Sequence, residues 1–487
     1  MGGLIKGLLA QIQSWFGIYN VVHYGADPTG ANDSTTAIQN AINAADGSGM
    51  IKVPPGTYSV TGITLKSGTK IVGSGRHNTK IILANTTNVD VLTTVNDAQN
   101  IESSDITVDG NSANNTSGEG ISFPYNASGA SHCHIYRATI QNIAKIGIDF
   151  GTVSTECTIT DCTISSTGAD AIYMGEPLDA TISRVKIYDA NTGNNANVGA
   201  ITLLYHWTNM RIENVEIDNS GTGSSTGFGI FANATQTANN LVITGCIMQN
   251  FGSHGIMVYA NNAAVTNVNI GNCIVSNAGK TDGSGTGVYV VQAGTGTVNK
   301  INISNVLSDT SAGYGIEVVG NQFTITGCTV INGGDPGIHA QGSSFTISGN
   351  YSNNPGGGFG ITLNACSKGT VTGNVCEGNG YGGIGVYGAS GDHLNITGNA
   401  CMNNGVLAGG STWEYAGIAI NPTAPATYLV VQGNQCTDTQ TTKTQTYGIN
   451  EANGNYNFIA NNDVRGNATT NLNITGANTT NQGNLIA

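Results

Sequence analysis

Gly315-Ile316-Glu317-Val318 is followed by Ile325-Thr326-Gly327-Cys328, and both phrases return at once as Gly337-Ile338-His339-Ala340 and Ile347-Ser348-Gly349-Asn350. The second phrase also occurs as Ile243-Thr244-Gly245-Cys246 and Ile396-Thr397-Gly398-Asn399. The first occurs as Gly147-Ile148, Gly229-Ile230, Gly255-Ile256 and Gly360-Ile361. Counted from its first apolar residue, the second phrase starts at Ile106, Ile135, Ile159, Ile182, Ile212, Ile243, Ile270, Ile303, Ile325, Ile347, Val371, Ile396, Val431 and Ile459, at spacings of 22 to 35 residues. A fixed strand pattern with loops of variable length between its copies predicts the coils of a parallel β-solenoid. One coil is too short to bury its own apolar face, so each must stack on the next, about 4.8 Å per coil. Inward and outward positions alternate along each strand, which gives the Ile-x-Val rhythm. Like then stacks on like. Asn350, Asn374, Asn399 and Asn434 are expected in one turn column and Cys376, Cys401 and Cys436 in another, with Cys246 beside Cys273 and Cys133 near Cys157. Roughly fourteen to sixteen coils predict a rod about 70 Å long.

Composition points the same way. Glycine supplies 70 of 487 residues, about double ordinary usage, and only 9 % of residues are charged against a usual value of about 25 %. A coiled coil would be charge-rich and glycine-poor, collagen would show glycine at every third position, and 39 % hydrophobic content is too high for a disordered chain. The net charge of −13, from 16 basic and 29 acidic residues without a Lys/Arg cluster, excludes an ordinary nucleic-acid binder. No apolar run is long enough to span a bilayer. Ten cysteines without CxxC spacing predict buried free thiols acting as small hydrophobes, which favours synthesis in a reducing cytoplasm. No cofactor is expected; Ca2+ stays open without a motif that asks for it.

Residues 1–17 stand apart. Ile5, Leu8, Leu9, Ile12 and Phe16 fall at helical spacing, which predicts an amphipathic helix. Three uses stay open for it: packing on its own chain, docking to a partner or virion, or lying on a membrane surface. Residues 18–487 read as one β-helix domain of the all-β class, a single-stranded right-handed parallel solenoid.

The entrance to that domain is distinctive. Tyr19-Asn20-Val21-Val22-His23-Tyr24-Gly25-Ala26-Asp27-Pro28-Thr29-Gly30 leads through Asn32-Asp33-Ser34-Thr35 and Val53-Pro54-Pro55-Gly56-Thr57-Tyr58 to Gly73-Ser74-Gly75. Asp33 or Ser34 can cap a helix with an apolar face of Ile38, Ala41, Ile42 and Ala45, which would plug the open first coil. This block resembles the N-terminal segment of the pectate lyase superfamily of right-handed β-helices, which includes phage tailspike depolymerases and mannuronan C5-epimerases. The resemblance implies work on polysaccharides lying along the outward face of the Gly-Ile-x-Val strand.

The outward column after each core Ile or Val is expected to run Ser122, Asp149, Tyr173, Thr202, Phe231, Met257, Tyr289, Glu317, His339 and Thr362, with Tyr259 and Tyr387 joining one residue pair later. Aromatics in a line suit sugar rings, and carboxylates among them suit hydroxyls or chemistry. Three constellations follow. Asp149, Asp170 and Glu176 lie on consecutive coils, and two carboxyls about 6.5–9.5 Å apart are what inverting glycoside hydrolysis needs. Thr167-Gly168-Ala169-Asp170-Ala171-Ile172 resembles the polygalacturonase paired-aspartate strand, with Ala169 in place of its first aspartate. Ser253-His254-Gly255-Ile256 resembles that family's Gly-His-Gly strand, although His254 falls three coils beyond Asp170, about 14 Å by rung spacing. Glu317 and His339, one rung apart with Asp335 preceding His339, form a workable acid/base pair. Tyr205-His206 with Trp207 closes the set, although the epimerase Tyr-Asp-Pro-His motif is absent. Asp149, Asp170, Glu176, Glu317 and His339 are therefore the candidate catalytic residues. Tyr173, His206, Phe231, His254, Tyr259 and Tyr289 are the candidate substrate-binding residues.

The expected protein is a tailspike-like polysaccharide binder, with degradation of surface glycans as its enzymatic form. It would be a homotrimer on a virion, or lie outside the cell or at its surface. A microbial lyase, hydrolase or C5-epimerase and a non-enzymatic adhesive rod are the alternatives.

Overall fold

A computed structural model describes residues 16–123, 125, 129–195, 197–220, 227–280, 283–354, 356–407 and 411–486. The expected helix of residues 1–17 lies almost wholly outside them. The chain divides into two compact units, residues 1–247 and 248–487.

The first unit opens with the strand Ile18–Asn20, which pairs in parallel with Met50–Lys52; the latter pairs with Lys70–Val72, and that with Glu102–Ser104. The helix Thr35–Ala45 packs against Ile18–Asn20, Val21–Tyr24, Met50–Lys52 and Ile63–Leu65. Its buried face is Ala37, Ile38, Ala41, Ile42 and Ala45, so it covers apolar edges that the first coil would otherwise leave open. Ser34 is the residue at the N-cap, but it is the Asp33 carboxylate that accepts the Thr35 N–H, at 2.9 Å. The Ser34 hydroxyl accepts the Asp27 N–H instead. Asp27 in turn accepts from Thr29 and Asn32, and these hydrogen bonds hold its carboxyl down at about 2. The conspicuous entrance block is thus a self-bonded loop leading into the capping helix.

Beyond it the column of the second phrase keeps the register that the repeat predicts, while the same strands shift register between Ala340 and Ser343 and between Asn364 and Cys366. In the first unit Ile135, Ile159, Ile182, Ile212 and Ile243 stand opposite one another. In the second, Ile270, Ile303, Ile325, Ile347, Val371, Ile396, Val431 and Ile459 do the same. Ile106 is the exception. Ser103 occupies that column opposite Ile135, while Ile106 leads into Thr107–Asp109, a strand of the other sheet. The left-handed residue two places after the column residue is Arg137, Asp161 or Arg184 in the next coils and Asp105 here, so Ser103 holds the column and Ile106 falls just beyond the turn, where Ala138 and Cys162 stand.

Side chains of one kind stack as the repeat requires. The Nδ2 of Asn350 donates to Asn374 Oδ1, Asn374 to Asn399, Asn399 to Asn434 and Asn434 to Asn462, each at 2.9 Å. A parallel ladder joins Asn379 to Asn404 at 2.9 Å and Asn404 to Gln445 at 3.1 Å. Every cysteine is a buried free thiol, and Cys376 stands opposite Cys401 in register. The cysteine column explains the glycine before the core isoleucine. A Cβ on Gly360 would lie 2.9 Å from Cys376 Sγ, and one on Gly417 would lie 3.1 Å from Cys436 Sγ. Only glycine lets these two strands meet.

Candidate active site

The outward column is present in both units. In the first, Thr93, Ser122, Asp149, Tyr173, Thr202 and Phe231 are consecutive register partners. In the second, Met257, Tyr289, Glu317, His339 and Thr362 are. A second column runs beside it, occupied by the residue two before the core isoleucine. Its side chain leans across to the outward residue of the following coil. Asp170 thus meets Thr202, His254 meets Tyr289, and Tyr314 meets His339. Glu119 meets Asp149 by the same diagonal step.

In the first unit this brings three carboxyl groups together at neighbouring coils. Asp149 is fully buried. Its Oδ2 accepts the Tyr125 hydroxyl at 2.9 Å and its Oδ1 accepts the Gly151 N–H at 2.7 Å. Burial nevertheless holds its carboxyl above the ordinary aspartate range. Burial and then the Asp149 charge push Glu119 up to about 8, and Glu119 Oε2 has no hydrogen-bond partner among the described residues. Asp170 is pushed up to about 7 by burial, although the Thr202 hydroxyl donates to it. The Tyr125 ring stands 6.0 Å from that of Tyr173, and burial raises both phenols. Carboxyl groups that share burial and proximity hold a proton near neutrality, so one serves as acid while its neighbour serves as base. A protonated carboxyl also donates to an anion that a carboxylate would repel.

Glu176 is not part of that cluster. It sits on the adjoining strand Glu176–Leu178, with Oε1 accepting from Gln236 at 3.3 Å and Oε2 3.7 Å from His206 Nδ1. The structure therefore pairs Glu176 with His206, two residues that the sequence assigned to separate groups. Trp207 is wholly buried in the core. Phe231 is only 5 % exposed, and the Phe228 ring stacks on it at 4.6 Å, so it offers no face to a sugar ring.

In the second unit His339 Nδ1 and Glu317 Oε1 are 3.0 Å apart, and both residues are buried. The Tyr314 ring lies nearly parallel to the imidazole, with centroids 4.8 Å apart, and closes the pair off. Burial and then the Glu317 charge push the Tyr314 phenol up to about 12. The His254 ring is tilted against that of Tyr289 with centroids 4.5 Å apart and accepts the Thr286 N–H at Nδ1, which leaves the proton of a neutral ring on Nε2. Tyr259 stands in register with Val291, half-buried. Among the described residues no three His, Cys, Asp or Glu side chains converge as metal ligands.

The outward column alone misses Glu119, Tyr125 and Tyr314. Glu119 and Tyr314 each stand directly before a Gly-Ile pair, as His254 does, so the diagonal step would have found them. Tyr125 belongs to a loop, and no periodicity reaches it.

Comparison with known proteins follows from this geometry. A model described as the right-handed beta helix region matches residues 126–302 and again 286–484. The chain belongs to the right-handed β-helix family. A second model, described as rhamnogalacturonase A/epimerase, pectate lyase-like, matches residues 18–200 of this β-helix chain. The chain is 40 % identical over 116 residues to a mannuronan C5-epimerase of Azotobacter vinelandii, AlgE2, covering 21 % of this chain and 12 % of that protein. It is 30 % identical over 172 residues to alginate lyase 7 of the same organism, covering 31 % of this chain and 20 % of that one. It thus spans about an eighth to a fifth of the length of these relatives. Among solved structures, a tailspike protein of E. coli bacteriophage HK620 in complex with pentasaccharide covers 86 % of this chain and 77 % of its own, at 13 % identity and a TM-score of 0.48.

Proposed function

We propose that this β-helix binds a polysaccharide beside the exposed Tyr125 and processes it by acid–base chemistry at Glu119, Asp149 and Asp170. The observation that carries the reading is that buried cluster of carboxyl groups flanked by Tyr125 and Tyr173. The names of the relatives specify mannuronan and alginate, which are polymers of uronic acid, and so supply a substrate class. A uronan needs its sugar carboxylate neutralised before the adjacent C5–H bond becomes acidic. Protonated Glu119 can do this by donating a hydrogen bond, without a cation. The Asp149 carboxylate is placed to take the C5 proton through Tyr125, whose hydroxyl proton passes to Asp149 as the phenol oxygen accepts the one from C5. That proton passed on to the departing 4-O oxygen gives an unsaturated product, and a proton returned to C5 from the other face gives the epimer. Hydrolysis between two carboxyls is the remaining form of the same site.

Incubation with polymannuronate, alginate and polygalacturonate, read by absorbance of unsaturated ends, reducing ends and proton NMR of the C5 epimer, tests the reading. Change in at least one polymer is expected. No change in any of them would favour an adhesive rod.

We place this activity outside the cell or on a virion. In its tailspike form three copies assemble and residues 1–17 dock to a partner. Light scattering after size exclusion that gave the mass of one chain would set the trimer aside.

A further inference from the structure

The second unit carries a groove apart from the carboxyl cluster of the first. One end is a cleft of 480 Å³ walled by Tyr314, Phe359, Tyr387 and Trp413. The other is a shallower cavity of 730 Å³ edged by Asn250, Asn277 and Asn332. Gly334 and Gly356 line both, so the two are continuous across a glycine saddle. Together they fall in the size range of ligand sites, about 300–1,000 Å³ each.

The aromatic end is built rather than incidental. Phe359 is almost wholly buried and anchors the wall, with the Tyr387 and Trp413 rings tilted against it at 6.1 and 6.4 Å. The Trp413 ring itself is only half-buried. Tyr314 is held from behind by the His339 ring, and His339 by Glu317. This gives the Glu317–His339 pair a positioning part. Such partly open aromatic faces suit the C–H face of a sugar ring, while amide edges suit its hydroxyls. The charge at that end selects among sugars. Asp335 and Glu414 line it, and Glu317 lies near enough to Asp335 to raise its carboxyl together with burial. Carboxylates accept hydroxyl hydrogens and repel another anion.

We propose that the groove from Trp413 across Gly356 to Asn277 is a second glycan site that binds an uncharged oligosaccharide. It goes beyond the processing of a uronan in the first unit and stands on separate residues.

Gly356 makes the site testable without touching its walls. A Cβ there meets nothing closer than 3.7 Å, so a large side chain fits the backbone and obstructs the saddle. The full chain is applied to an array of neutral hexose oligosaccharides and oligouronates, and the strongest neutral binder is titrated by tryptophan fluorescence. Binding of at least one neutral member is expected, weakened tenfold or more by Trp413→Ala and by Gly356→Trp in variants that keep the wild-type circular dichroism. Asp149→Asn is expected to bind that probe as the wild type does, which separates failure of this site from failure of the catalytic one. The proposal is overturned if no neutral member binds, if only oligouronates bind, or if neutral binding survives both groove substitutions.

Discussion

At Asp149 hydrogen bonding and burial oppose each other: two donors, Tyr125 O–H and Gly151 N–H, favour its charged form, and burial disfavours it. Asp149→Asn keeps the shape and removes the titration, so turnover of a uronan is expected to fall by about 10²–10⁴-fold, the usual worth of a positioned acid or base. Saturation kinetics check this, with kcat falling far more than KM rises. The raised carboxyls also set a stability profile. Glu119 at about 8 and Asp170 at about 7 bind protons more tightly folded than unfolded. Their contribution is complete below about pH 4 and is lost as pH rises through about 7 to 8. Thermal unfolding against pH should therefore show a decline across that window. Glu119→Gln and Asp170→Asn should flatten it, each melting about 2–6 °C above the wild type at pH 9. An unchanged slope in both variants would remove the buried-proton account.

At the scale of the element, the rungs are held by ladders of buried side-chain amides. Asn399 Oδ1 accepts both the main-chain N–H and the Nδ2 of Asn374, while its own Nδ2 donates to Val371 O and Asn434 Oδ1. Asn399→Ala strands several buried groups at once and should cost about 2–5 kcal/mol in denaturant unfolding. Asn395→Ala, at an exposed position four residues earlier on the same coil, should cost less than about 0.5 kcal/mol. Elements of this kind were legible in sequence, because a stack repeats its demand at every coil. Ile106 shows the limit. The residue after the turn is apolar as well (Ala138, Cys162, Val185), and Ile135, Ile159, Ile182 and Ile212 hold the column without a turn glycine, so the phrase alone could not separate the two positions. Phe231 shows another, since outward direction is read from alternation while the covering ring of Phe228 is not.

At the scale of the whole molecule, the low charge content sharpens what the few ionisable groups mean. With inward positions apolar and turn positions given to Asn, Thr and Gly, a carboxyl on the outward column is a departure from the repeat. Asp149, Glu317 and His339 were visible for that reason. Glu119 was not, because its position is defined only by the diagonal lean of one coil towards the next, and Tyr125 lies in a loop outside any period. Family membership fixes the right-handed solenoid and leaves the chemistry to the site. The measurement that bears on this most directly is proton NMR and unsaturated-end absorbance of polymannuronate and alginate after incubation with the wild type and with Asp149→Asn. The account predicts epimerised or cleaved polymer from the wild type and at least a hundredfold less from the variant. Equal product from both proteins, or none from either, would contradict it.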